Sequence, residues 1–239
     1  MSNSRALVIK SIKQGETSSI VSCYLEEIGF KSFLVKGLYG QKKSKFSRAH
    51  FFPLNFISLN YSYNEKRELG FIKEVKPEIL YKTLHVDIQK SSVIVFLSEI
   101  LHGVFREELE VNNNLFNFLL SSLTWYDKIS KCNIYHIKFL IELSRYIGFY
   151  PNIVNEHDMY FCLESGSTTN RKPLGISING VDLKILKNLL GMEFEDLNSM
   201  RINKVSRVRI LNYLIDYYSL HLQMFKTPKS INVFTQVFK

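Results

Sequence analysis

The hydrophobic period of this chain changes once, near Pro77, and that change restricts the fold more than any other feature of the sequence. Up to that point apolar residues come in short runs with a period near two, the mark of strands. Beyond it they recur every three or four residues, the mark of helices. The runs Arg5–Ile12, Ser19–Leu25, Lys31–Lys36, Asn55–Tyr61 and Arg67–Val75 read as five short strands. Gln14 and Gly15 close the first, and Gly29 suits a hairpin corner that needs positive φ. Five strands in so short a stretch suit a small closed barrel, with the OB-fold its leading member.

Past Pro77 three stripes lie at helical spacing. They are Val93, Leu97, Ile100, Leu101 and Val104; then Leu115, Leu119 and Leu123; then Ile134, Ile137, Leu140, Ile141 and Ile147. Gly148 and Pro151 end the third. Residues 152–180 are polar and contain glycine, with short extended pieces at best. Val181–Leu190 reads as a short helix stopped by Gly191, and a last helix starts behind an Asn203 cap and runs to Leu222. The expected fold class is therefore α+β. An OB-fold barrel over residues 1–77 precedes a mainly helical domain over 78–239, with a polar, partly extended insert at about 152–180.

The 239 residues, 46% hydrophobic and 22% charged, have an ordinary globular balance. The longest apolar run, Val93–Leu97, falls far short of the ~20 residues that cross a bilayer. The start carries no secretory pattern, so no membrane partner and a cytoplasmic location are expected. Cys23, Cys132 and Cys162 are far apart and form no CxxC, which predicts reduced thiols and neither a disulfide framework nor a thiolate zinc site.

Catalytic signatures are missing from the sequence. It contains no GxxxxGK[ST], GxGxxG, HExxH or GxSxG pattern. The six histidines are scattered, and His157 beside Asp158 reads as structural. The acidic run Glu107, Glu108 and Glu110 reads as a solvated face. No enzyme, no cofactor and no metal are expected.

Thirty-one Lys and Arg against twenty-two Asp and Glu leave a formal charge of +9, which favours a polyanionic partner. The run from Lys36 to Arg48 holds five cations (Lys36, Lys42, Lys43, Lys45 and Arg48) and no acid. Tyr39 and Phe46 are interleaved with them, and Gly37 and Gly40 make the run a loop. Cations of this kind neutralise phosphates, and aromatic faces accept unstacked bases. A solvated loop that binds nothing is the alternative; the barrel context favours binding. A second cluster is Arg201, Lys204, Arg207 and Arg209, where cations oppose the dipole of the last helix. Ion pairing with Glu193, Glu195 and Asp196 is an equal alternative there. Trp125, Phe116 and Phe118 lie on helical stripes and read as core.

Short stretches in fixed order carry a resemblance. Gly15-Glu16, Glu27-Ile28-Gly29, Val35-Lys36-Gly37 and Lys43-Ser44 are followed by Ser98-Glu99-Ile100 and Asn114-Leu115-Phe116. Phe139–Leu143, Gly148–Pro151, Tyr217–His221 and Lys229-Ser230 complete the series. In this order they resemble bacterial RecO recombination mediators over nearly the whole chain. The resemblance implies an OB-fold joined to a helical domain, without catalysis. It implies binding of single- and double-stranded DNA, strand annealing, and action with RecR to help RecA replace the single-strand-binding protein in recombinational repair. It also implies docking of that protein's acidic, Phe-ending C-terminal tail on the helical domain, where Arg201, Lys204, Arg207 and Arg209 are the preferred cations. Lys138 and Arg145 are the next pair. A nucleoid-associated cytoplasmic protein fits this picture.

Many members of that family carry a four-cysteine zinc module after the Gly-x-x-Pro segment. Here only Cys162 and His157 stand in that region, too few ligands to close a site. An OB-fold module for RNA and a protein-interaction scaffold are the competing readings.

Overall fold

A computed structural model describes residues 2–40, 45–64, 66–107, 110–232 and 234. Five strands, β1 (Ser2–Gln14), β2 (Ser18–Leu25), β3 (Gly29–Val35), β4 (Phe56–Ser62) and β5 (Leu69–Pro77), close into an OB-like barrel in the order β1-β2-β3-β5-β4. Every pairing is antiparallel except β3 with β5, which is parallel and sets Leu34 against Phe71. The barrel closes at Gly70. A Cβ there would sit 2.7 Å from the Phe33 ring and 3.0 Å from the Ser62 carbonyl oxygen, so a side chain would push the two strands apart.

Ala6, Val8, Val21, Cys23, Phe33, Ile57 and Leu59 fill the barrel. Their neighbours Leu7, Ile9, Tyr24 and Phe56 point outward, yet they are just as buried, because the helices cover that wall. Tyr24 stacks on Phe105 with centroids 4.3 Å apart, and its hydroxyl accepts the Asn112 N–H at 3.2 Å. The unbroken apolar run Ala6–Ile9 is thus a strand buried on both faces.

The helices are α1 (Ile88–Phe105), α2 (Asn113–Lys128), α3 (Tyr135–Tyr146), α4 (Gly180–Leu190) and α5 (Lys204–His221). Asp87, Asn112 and Asn203 cap α1, α2 and α5 through their side-chain oxygens. By length and composition α1 could cross a membrane, although no single apolar run in it is long; 61% of it is buried as the central helix of the core. Ile147, the last residue of the third sequence stripe, falls just past the end of α3.

The insert is more ordered than its composition suggests. Three short strands, β6 (Tyr160–Cys162), β7 (Ser167–Thr169) and β8 (Ser177–Asn179), form a sheet in the order β7-β6-β8, with Phe161 and Ile178 buried beneath it. Among the described residues no three His, Cys, Asp or Glu side chains gather in a metal-like group. Cys23 and Cys132 are buried, and burial pushes both thiols up.

Two further features were not visible in the sequence. The linker after Pro77 is clasped by α2: the Asp127 carboxylate accepts the N–H groups of Lys82, Thr83 and Leu84, and Lys90 donates to the carbonyls of Asp127 and Ile129. After α5 the chain runs back along α1 as a strap. Glu107 accepts the Met224 N–H, Phe225 lies on Gly103, Glu99 accepts both the N–H and hydroxyl of Ser230, and Phe234 stacks on Phe96. Glu107 therefore holds the strap rather than forming a solvated face; Glu108 lies outside the described residues.

Candidate nucleic-acid interface

The loop after β3 is anchored by Leu38, which is buried at the barrel end, and by the Tyr39 N–H donating to the Thr17 carbonyl at 2.8 Å. This anchoring presents Tyr39 within reach of two cations. The Arg48 guanidinium lies 4.6 Å from the ring centroid and the Lys13 ammonium 5.6 Å. Arg48 also donates to the Leu38 carbonyl at 3.4 Å, tying the far end of the loop to its start. Lys45 lies 5.8 Å from the Phe46 ring, which packs edge-on against Phe51. Lys36 stands 5.8 Å from the ring of Phe71 on β5. The structure thus brings Lys36, Tyr39, Lys45, Phe46 and Arg48 to one end of the barrel; Lys42 and Lys43 lie outside the described residues.

Lys13 and Phe71 belong to this surface and were missed in the sequence. Pairing explains why. Ile12 faces Ile20, Ile20 faces Leu34 and Leu34 faces Phe71, so one apolar row crosses the outer wall of four strands. Ile12 remains 49% exposed and Phe71 37%, enough apolar face for a base to rest on. Period-two patterning could place Ile12, Ile20 and Leu34 on one side of their strands. Only barrel closure says that this side meets solvent.

The second cluster separates into two roles. Arg209 is engaged: its guanidinium grips the Asp182 carboxylate in a bidentate pair at 2.7 and 2.9 Å, in place of the acids expected at 193–196. Arg201 and Arg207 instead line a cavity of about 410 Å³ with Lys131, Ile134, Leu197 and Met200. Burial pulls the Arg207 guanidinium below its ordinary value. Lys204 is exposed outside that cavity. The reserve pair is committed elsewhere. Lys138 is buried, donating to Glu142 at 2.7 Å and to the Leu189 carbonyl at 2.9 Å, and Arg145 lies 3.8 Å over the Tyr150 ring.

Two family models divide the chain between them: Recombination protein O N terminal matches residues 1–80, and Recombination protein O C terminal matches residues 85–230. The chain belongs to the RecO family. It is 35% identical to the DNA repair protein RecO of Flavobacterium psychrophilum, over 98% of both chains. To that of Flavobacterium johnsoniae it is 36% identical over 98% of each, and to that of Bacteroides fragilis 35% over 97% of each. As a RecO-family DNA repair protein it carries its cation–aromatic surface on the barrel, the part that the N-terminal family model covers.

Proposed function

We propose that this chain is a non-catalytic, cytoplasmic, nucleoid-associated mediator of recombinational repair. It binds single- and double-stranded DNA with residues 1–77 and meets protein partners with residues 78–239. In this reading it anneals complementary strands and, with RecR, helps RecA onto DNA covered by the single-strand-binding protein. The observation that carries the reading is the cluster of Lys13 and Arg48 around the Tyr39 ring at the root of the basic loop. A phosphate can pair with the cations while a base stacks beside them, which is how sequence-tolerant single-strand binders work.

Replacing Lys42, Lys43 and Lys45 with Ala is expected to flatten the slope of log K against log [salt] by about 2 units on single strands and nearly 3 on duplex, if each meets one phosphate. Tyr39→Ala should weaken single-strand binding by about 1–3 kcal/mol and leave duplex binding nearly unchanged, because only unpaired bases can stack. Unchanged slopes in a folded triple variant reject the reading. In competition between matched oligonucleotides, preference for RNA over DNA would favour an RNA-binding module instead.

The acidic tail of the single-strand-binding protein fits the cavity beside Arg201 and Arg207, which pairs an apolar slot of Ile134, Leu197 and Met200 with cations at its rim. Apolar anchoring fixes such a peptide while charge steers it. Lys131→Glu with Arg201→Glu should lower the affinity of a fluorescent acidic peptide ending in Phe at least about tenfold, or 1.4 kcal/mol. Thermal stability should hold, since Arg201 is exposed. Full peptide affinity in that variant moves the tail elsewhere.

A further inference from the structure

A second basic site opens where the barrel meets the helices. Four parts of the chain wall a cleft of about 370 Å³: β1 through Ile9, Lys10 and Ser11, Pro53 ahead of β4, α1 through Ser98 and His102 with Arg106 at its C-cap, and the strap through Met224 and Lys226–Lys229. Lys10, Arg106, Lys226 and Lys229 converge on it, although they are distant in sequence. One carboxylate, Glu99, is among the lining residues, and it already accepts two hydrogen bonds at 3.0 Å from Ser230. His102 registers the convergence: burial first, then the charges of Lys10 and Arg106, hold its pKa below the usual value.

The cleft also continues the surface described above. Lys10 pairs with Ser22 on the outer wall of the barrel, two residues along β1 from Ile12 and on the same face, so it continues the exposed Ile12–Phe71 row. A strand resting on that row therefore meets Lys10 and then the cleft. We propose that this cleft holds the sugar–phosphate backbone of a single nucleic-acid strand that continues off the barrel. The inference rests on the nucleic-acid reading of the barrel and adds a second contact to it, on the helical side. A cleft of about 370 Å³ takes one backbone rather than the full body of a double helix, so the inference commits to single strands. The Thr227 hydroxyl stands among the cations as a further donor to phosphate oxygens, whereas those of Ser11 and Ser98 already bond Ser19 and the Val95 carbonyl.

Lys10, Lys226 and Lys229 are exposed, so changing all three to Ala should leave the fold intact. With oligo-dT, the variant is expected to lose about 2 units of salt slope, near 0.7 for each phosphate contact, and to occlude a shorter length of strand. Its slope on duplex should equal that of the parent protein. A control that removes the same charge from the insert and α4 (Arg171, Lys172 and Lys184 to Ala) should change neither. Parental slope and footprint on oligo-dT in the cleft variant overturn the inference while leaving the barrel reading standing. Equal losses on single strands and duplex also overturn it, as a general charge effect. So does loss of an acidic peptide with oligo-dT binding unchanged, which would give the cleft to a protein. No oligonucleotide binding by the parent protein would overturn the barrel reading and the inference together.

Discussion

Lowering the pH from 7 to 5 is expected to cost this fold about 2 kcal/mol through one side chain, His136. The imidazole is fully buried, edge-on to Phe96 and Phe234 with centroids 6.4 and 4.7 Å away. Burial, and then the positive charge of Arg207, pull its pKa down to about 3, from an ordinary value of 6.5. A histidine depressed in the folded state is neutral there, whereas the unfolded chain binds a proton as soon as the pH drops below 6.5. Its contribution is therefore fully present above that value. It is lost progressively as the pH falls toward 3, at about 1.4 kcal/mol per unit. Urea unfolding at pH 7 and pH 5 measures this directly. His136→Leu keeps an apolar side chain in the site and should remove most of the pH dependence, even if its stability at pH 7 is lower. An unchanged pH dependence in the variant would place the acid sensitivity elsewhere.

Asp127→Ala is expected to destabilise the protein by about 2–3 kcal/mol, because the half-buried carboxylate is the acceptor for three backbone N–H groups that would lose it. The carboxylate ends four hydrogen bonds, from the N–H groups of Lys82, Thr83 and Leu84 and from the Thr83 hydroxyl. Burial raises its pKa, but those four bonds outweigh burial and hold it below its usual value. The Lys90 ammonium, on a residue only 3% exposed, completes the clasp by donating to Thr83 Oγ1 at 2.7 Å and to the Ile129 carbonyl at 2.6 Å. Because a depressed carboxylate loses its contribution as pH falls from its ordinary value of 3.8 through its lower folded value, this part of the stability starts to go only at the acid end of the window set by His136. Asp127→Asn keeps one acceptor oxygen and should cost less. Lys90→Met, which retains the stem and removes the charge, should couple to Asp127→Ala by about 1 kcal/mol or more in a double-mutant cycle. Additive effects would mean that the two groups act independently.

The barrel was readable in the sequence because strands that bury one or both faces must show it in their residues, and turn residues punctuate them. The readable part stopped at contacts that no local pattern encodes. The parallel closure of β3 on β5 joins Ser32–Leu34 to Leu69–Phe71. It turns the Ile12–Phe71 row into an outer surface, yet neither strand alone carries that information. Capping residues Asp87, Asn112 and Asn203 follow local rules, and of these Asn203 was taken from sequence as a helix start. The Arg cluster was found as a run of charge, but its division was not. Arg209 lies where α5 brings it to Asp182 on α4, and this depends on helix packing. Lys138 misled for a different reason: a long apolar stem lets a lysine enter a core when its ammonium finds acceptors, here Glu142 and Leu189. The strap after Leu222 has too few residues for periodicity to reveal it.

That strap also sets an order of events on the ribosome. The barrel has all its strands once Pro77 has been made. The face of α1 that carries Phe96, Glu99 and Gly103, with Glu107 just beyond it, meets Met224–Phe234 only after those residues have been made. At 5–20 residues per second the interval between Phe105 and Phe234 lasts roughly 6–26 s. For that time the nascent chain carries a finished barrel beside a helix whose outer apolar face lacks its strap, and a chaperone that shields such a face meets no competition from Met224–Phe234 until they emerge.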